Sequence, residues 1–380
     1  MKFLSVVLSR QRRLVAASAV ALLAAGVAHG QDVPRRTPVY PPAAPLPSDT
    51  AAAGQVSAAK EFANPSVVGM GPSKGLIFHY ERTSPFRVAS ATQGNQPVLP
   101  PSDARNYRGT AEKNGRVIIK GYIPVWNRPH LKMVLGVNYE REEFEFQNPP
   151  TNYSLYNELE DRGLKTLGSQ LVVLRPIDET RYLLGRVKGE LNGDYTSNEL
   201  DLRDYLRMSY EFIYGWKRSP TFSWGVGVQV GYTFGRRSIY PAIVYNRTWN
   251  SRWGVESIFP ARVTARYNAS PRSLLFFGYQ VDGLNYQIKL RQPIASSPDL
   301  RSFELRETEV KFRGRWEREI YDFVWFGLEG GYRYNHAFDA FDRRNGRTKI
   351  VDSKLAGAPY ASVEVFLVPP RRFLKKTVNK

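Results

Sequence analysis

The chain reads as all-β, a transmembrane antiparallel up-and-down β-barrel of about 12 strands, with 14 as the alternative. Three observations predict this. First, residues 222–235 alternate without a break: Phe222, Trp224, Val226, Val228, Val230, Tyr232 and Phe234 against Ser223, Gly225, Gly227, Gln229, Gly231, Thr233 and Gly235. That is the period-2 pattern of a strand with one apolar and one polar face. Second, aliphatic residues hold the middle of the apolar face and rings hold both ends. A strand whose centre meets hydrocarbon and whose ends meet the interfaces has this profile. Third, short links alternate with long ones along the chain, the habit of barrels with short periplasmic turns.

The chain of 380 residues begins with Lys2, Arg10, Arg12 and Arg13, followed by a nearly unbroken apolar run to Val27 and small residues at Ala28-His29-Gly30. This is the layout of a signal peptide over residues 1–30, and the run is shorter than the ~20 residues of a spanning helix. Residues 31–72 are rich in Pro, Ala, Ser and Gly and predict a disordered periplasmic leader. The barrel is expected over residues 73–368, and a basic tail over 369–380. No cysteine is present, which excludes disulfides and thiolate chemistry. The formal charge is +19, and losing the four basic residues of the signal leaves 50 Lys and Arg against 35 acids, or +15. Export argues against nucleic acid as the partner of this excess. Outer-membrane lipid and lipopolysaccharide, or small polar or anionic solutes, are the partners that remain.

Residues 75–83 form a candidate first strand. Hairpins follow: 117–125 with 131–142, 164–175 with 182–193, and 206–216 with 222–235. Residues 238–246, 253–267 and 274–288 continue the pattern, then 303–318 with 322–335, and 360–367 closes the set. Taken as single strands these number thirteen, against the even count of such barrels. Omitting residues 75–83 gives twelve, the favoured count. Folding residues 253–267 back near Phe259-Pro260 gives fourteen, with halves shorter than the ~9 residues needed to span.

Several pieces of the chain resemble a known family. They are Gly75-Leu76-Ile77-Phe78-His79-Tyr80-Glu81, Gly121-Tyr122-Ile123-Pro124, Val134-Leu135-Gly136-Val137-Asn138-Tyr139, Phe259-Pro260-Ala261-Arg262 and Leu328-Glu329-Gly330-Gly331-Tyr332-Arg333. The resemblance is to bacterial outer-membrane β-barrels catalogued as a domain of unknown function, and it covers roughly residues 75–368. It implies the barrel fold and the bacterial outer membrane as location, and it brings no catalytic residues.

Strand parity assigns the charges expected to face the lumen: Lys132, Glu140, Arg186, Lys188, Glu190, Arg207, Glu211, Asp282, Glu307, Glu309, Lys311, Arg313, Arg315, Glu329, Arg333 and Glu364. Both signs occur in comparable number. One reading is a narrow passive channel that orients small polar solutes. The other is a lumen plugged by paired charges, in a structural or envelope-interaction barrel. A lipid-modifying enzyme is the third, and it needs a Ser–His contact near a rim. Outside the signal the histidines are His79, His130 and His336, and none lies in a local Ser motif, so no catalytic residue is assigned. No cofactor or metal is expected. Asp339, Asp342 and Asp352 could hold calcium, but Arg343, Arg344, Arg347 and Lys349 share their loop.

Overall fold

The computed structural model describes residues 62–92, 106–147, 154–196, 201–290, 302–342 and 348–370. The expected signal peptide, most of the expected leader and most of the basic tail lie outside these residues. Strands β1 (Leu76–Thr83), β2 (Phe86–Thr92), β3 (Asn106–Arg128) and β4 (Leu131–Phe146) come first. Helix α1 (Ser154–Arg162) precedes β5 (Leu164–Pro176) and β6 (Arg181–Gly193), and the short α2 (Leu202–Tyr205) leads into β7 (Leu206–Ser219). Then come β8 (Phe222–Gly231), β9 (Ser238–Thr248), β10 (Trp253–Phe259), β11 (Arg262–Ser270) and β12 (Ser273–Lys289). Strands β13 (Ser302–Tyr321), β14 (Val324–Asp342), β15 (Lys349–Leu355) and β16 (Ala358–Leu367) complete the described set.

Antiparallel pairing is continuous from β3 to β14, and β1 closes the ring between β3 and β16. Strands β1 and β2 lie end to end along β3, and β15 and β16 lie end to end beside them. Pro85 interrupts the first pair because it has no N–H to give a ladder. Ala356-Gly357 interrupts the second pair at the same level, where Ser84 N donates to Pro359 O (2.9 Å) and Ala356 N to Arg87 O (2.9 Å). With each interrupted pair taken as one strand, the wall is a closed barrel of fourteen strands, an even count.

The favoured count of twelve is corrected at two places. Residues 76–83 are integral to the wall. Residues 253–267 cross twice, as β10 and β11, around a turn with a cis Phe259–Pro260 bond. Partners in this hairpin, such as Trp253↔Tyr267 and Val255↔Ala265, share parity. Odd residues therefore face outward on both arms, and a hairpin and a single strand leave the same alternation in the sequence.

Outside, apolar side chains form a belt. Val226 and Val228 on β8 are 43% and 51% exposed, whereas Ser223 on the opposite face is 0% exposed. At the short-turn end the rings meet in pairs, Trp216 with Trp224 (centroids 4.4 Å apart) and Trp253 with Tyr267 (4.8 Å). Such an aromatic girdle marks a membrane interface.

Inside, the long-link end is filled by an apolar core. Phe86, Phe144, Phe146, Tyr286, Phe303 and Phe338 from the strands meet Leu155, Tyr156 and Leu159 of α1. The helix ends at Gly163, whose positive φ of 63° lets its N–H turn back to Leu159 O (3.0 Å). Strand β12 leans inward here. Its even face carries Tyr286 and Ile288 into the core, while Gln287 on its other face meets Gly193 of β6 in a parallel bridge.

Candidate functional site within the barrel

Below the apolar core, charged side chains reach across the lumen. Arg116 on β3 donates to Glu142 on β4 (2.8 Å) and to Glu309 on β13 (2.7 Å). The second contact passes over β1, β16 and β14, so it spans the interior and not a strand interface. Arg333 on β14 reaches Glu142 (3.3 Å) and Glu309 (3.5 Å), a second crossing. Lys311 binds Glu81 on β1 (2.7 Å) and Glu309 (3.2 Å). Glu142 and Glu309 are 0% exposed. Carboxylates this deep need cationic partners, because an unpaired buried charge is costly. The layer supplies them.

Toward the short turns the interior widens into a cavity of about 690 Å³. Arg315 contacts Glu317 (2.7 Å) and Glu364, Arg313 contacts Glu329 (3.2 Å), and Lys188 contacts Glu190 (2.8 Å) along its wall. His79 lies 3.3 Å from Glu364 through Nδ1. Lys120 and Arg262 line the same space and make no hydrogen bond or ion pair among the described residues.

Residues 62–74 form a strap over the short-turn mouth. Phe62 stands edge-on to His130 at the β3–β4 turn (4.5 Å), and Ala63 N donates to Asp178 O at the β5–β6 turn (3.1 Å). Val68 N donates to Pro220 O (3.0 Å), while Asn246 and Thr248 donate to Pro65 O (2.9 Å) and Val68 O (2.6 Å). Asn268 holds Gly69 O (3.1 Å), and Lys74 ends the strap on Glu317 and Glu364, each at 2.7 Å. The sequence boundary for a leader at residue 72 therefore falls after a segment with a defined path.

The structure places the residues singled out by parity as follows. Glu140, Arg186, Lys188, Glu190, Asp282, Lys311, Arg313, Arg315, Glu329 and Glu364 line the cavity. Glu307, Glu309 and Arg333 are buried in or beside the crossing layer. Glu211 is buried against Arg186 (2.5 Å), and Arg207 reaches Asn285 (2.7 Å) nearer the long-link end. Lys132 has the inward parity but stands exposed at the short-turn end. Parity missed Arg116, Glu142 and Glu81, the centre of the crossing layer. Arg116 shares the face of Ile118 and Lys120, one residue before the expected strand, and Glu142 shares that of Glu140.

The other candidates are accounted for by local contacts. Asp339 and Asp352 lie on β14 and β15 and not in a loop, and Lys349 lies 2.7 Å from both, so a lysine ammonium already occupies the space between these carboxylates. His336 is exposed on the outer face of β14.

The profile of the family described as "Domain of unknown function (DUF6268)" matches residues 151–365, more than half of the chain. The chain belongs to this family. No curated protein matches it in sequence. Among solved structures it is similar to a FadL homologue of Pseudomonas aeruginosa, at 8% identity and a TM-score of 0.33, over 77% of this chain and 89% of that one. It is also similar to the Pseudomonas putida toluene transporter TodX, at 8% identity and a TM-score of 0.32, over 80% and 92%. Outer membrane phospholipase A from Escherichia coli matches at 12% identity and a TM-score of 0.29, over 78% and 93%. At these scores the likenesses carry no argument about substrate or chemistry.

Proposed function

We propose that this family member is an outer-membrane β-barrel closed to passive flow, a structural or envelope-interaction barrel with a charge-plugged lumen. The outward apolar belt and its aromatic girdle support the membrane location. The observation that carries the closure is the pair of crossings, Arg116 to Glu309 and Arg333 to Glu142, on buried carboxylates. The apolar core with α1 lies on one side of them and the strap on the other.

A narrow channel for small polar solutes is the second reading. It is favoured by the cavity of about 690 Å³ and by the unpartnered Lys120 and Arg262, which would attract anions. Conductance of the purified mature protein in a planar bilayer separates the two. The closed barrel is expected to stay silent over a range of salts and voltages. Discrete unitary steps from the wild-type chain would overturn closure, and neutralising Arg262 should then shift the ion selectivity.

A further inference from the structure

A second cavity opens at the long-link end, between α2, the β8–β9 connection and the leaning part of β12 and β13. Its volume is about 550 Å³, and its walls carry Arg203, Arg207, Arg236, Arg237 and Arg306 against Asp204 and Glu304. Both acids are already engaged. Asp204 lies 3.2 Å from Lys289 Nζ, and Glu304 accepts from Arg306 (2.6 Å) and Asn285 (2.5 Å). Among the described residues the guanidiniums of Arg203, Arg236 and Arg237 have no hydrogen bond or ion pair, so three positive charges face the cleft uncompensated.

The cleft is built on a fixed floor. Asn285 holds Arg207 Nε (2.7 Å) with its carbonyl oxygen and gives its amide to Gly235 O (3.1 Å). Gly235, at φ 71°, closes the turn onto Tyr232 O (2.7 Å) and so fixes where Arg236 and Arg237 leave it. Exposed apolar residues border these arginines. Leu202 beside Arg203 is 60% exposed, and Phe234 and Ile239, on either side of Arg236-Arg237, are 41% and 75% exposed. Planar guanidiniums match phosphate oxygens in bidentate pairs, and an apolar border at the edge of the outer belt suits acyl chains.

We infer that this cleft binds the phosphate groups of a lipid headgroup in the outer leaflet, with the apolar border against the lipid's chains. The orientation rests on the membrane reading above; the phosphate chemistry does not.

The test titrates detergent-solubilised lipid A, its dephosphorylated form and inorganic pyrophosphate against the mature barrel in dodecyl maltoside. Lipid A is expected to bind about tenfold or more tightly than either of the others. The triple variant Arg203→Gln, Arg236→Gln, Arg237→Gln is expected to lose about tenfold in lipid A affinity. Its far-ultraviolet spectrum should be unchanged, since these side chains anchor nothing. The corresponding triple lysine variant keeps the charge but loses the bidentate fork, and is expected to recover only part of the lost affinity. Equal binding of dephosphorylated lipid A, or a triple glutamine variant that binds like the wild type, would overturn the inference. Pyrophosphate binding as tightly as lipid A would also overturn it, by making a free anion the ligand. Conductance plays no part in these readings, so an open barrel would sink the closure proposal and leave the cleft standing.

Discussion

Arg116 is the residue on which the interior turns. It joins β3 to β4 and, across the lumen, to β13, so its loss leaves Glu142 and Glu309 short of their closest cation. Removing one partner from a buried ionic group costs about 3–5 kcal/mol. Arg116→Ala is therefore expected to lower the unfolding free energy of the detergent-solubilised barrel, extrapolated from urea melts, by an amount in that range, with a lower urea midpoint. Arg318→Ala, at the exposed short-turn end, should leave the midpoint unchanged. Asp194, just beyond β6, behaves differently. Burial pushes its carboxyl up to about 6, only partly offset by the Lys289 backbone N–H and by Arg162, while Glu158 adds to the rise. The folded state then holds a proton that the unfolded chain, with an ordinary carboxyl near 3.8, has released. Stability should fall as pH rises from about 4 to about 6. Asp194→Asn should flatten that slope in urea melts at pH 4, 5, 6 and 7; an unchanged slope would sink the assignment.

At the scale of elements, the strap closes the short-turn mouth. The absence of cysteine makes its role directly measurable, because Lys120→Cys places a single thiol in the cavity. Labelling by a bulky, membrane-impermeant maleimide is expected to be slow in the full chain and about tenfold or more faster once residues 62–74 are deleted, a gating effect of direct steric access. Equal rates would show that the strap closes nothing. A second element-level test concerns Gly283 on β12, where an added Cβ would meet the backbone of Tyr232 and Thr233. Gly283→Ala is expected to destabilise by about 1–3 kcal/mol, as overpacking does. Most strands were readable because each shows one face to lipid and one to the interior, but β2 and β15 lie outside the expected strands. The strap was not readable. Its hold comes from side chains of the turns onto its backbone carbonyls, a pattern with no period and little apolar content. Helix α1 sat inside an expected link, though Leu155, Tyr156 and Leu159 carry the spacing of a buried helical face.

For the molecule as a whole, the closed barrel and its lipid-facing residues were legible, while the division of the interior was not. Parity gives direction, inward or outward, but says nothing about what an inward side chain meets. Glu307 and Phe303 share a face of β13, yet one lies near the crossing layer and the other in the apolar core. The lean of β12 did leave a sign. Gly283, Asn285 and Gln287 occupy positions that would face lipid in a regular wall, and Asn285 and Gln287 are 1% and 0% exposed. Polar residues in that row mark a strand that has left the membrane surface.

The seam between β1 and β16 joins positions such as His79 and Glu364, which pair across the ring although nearly the whole barrel lies between them in the chain. A product without β15 and β16 cannot close the ring. A polypeptide that stops before residue 349 lacks both β15 and β16 and keeps thirteen strands and two bare edges, each a template for joining another chain. Completion is thus all-or-none: losing the final strand opens the whole ring.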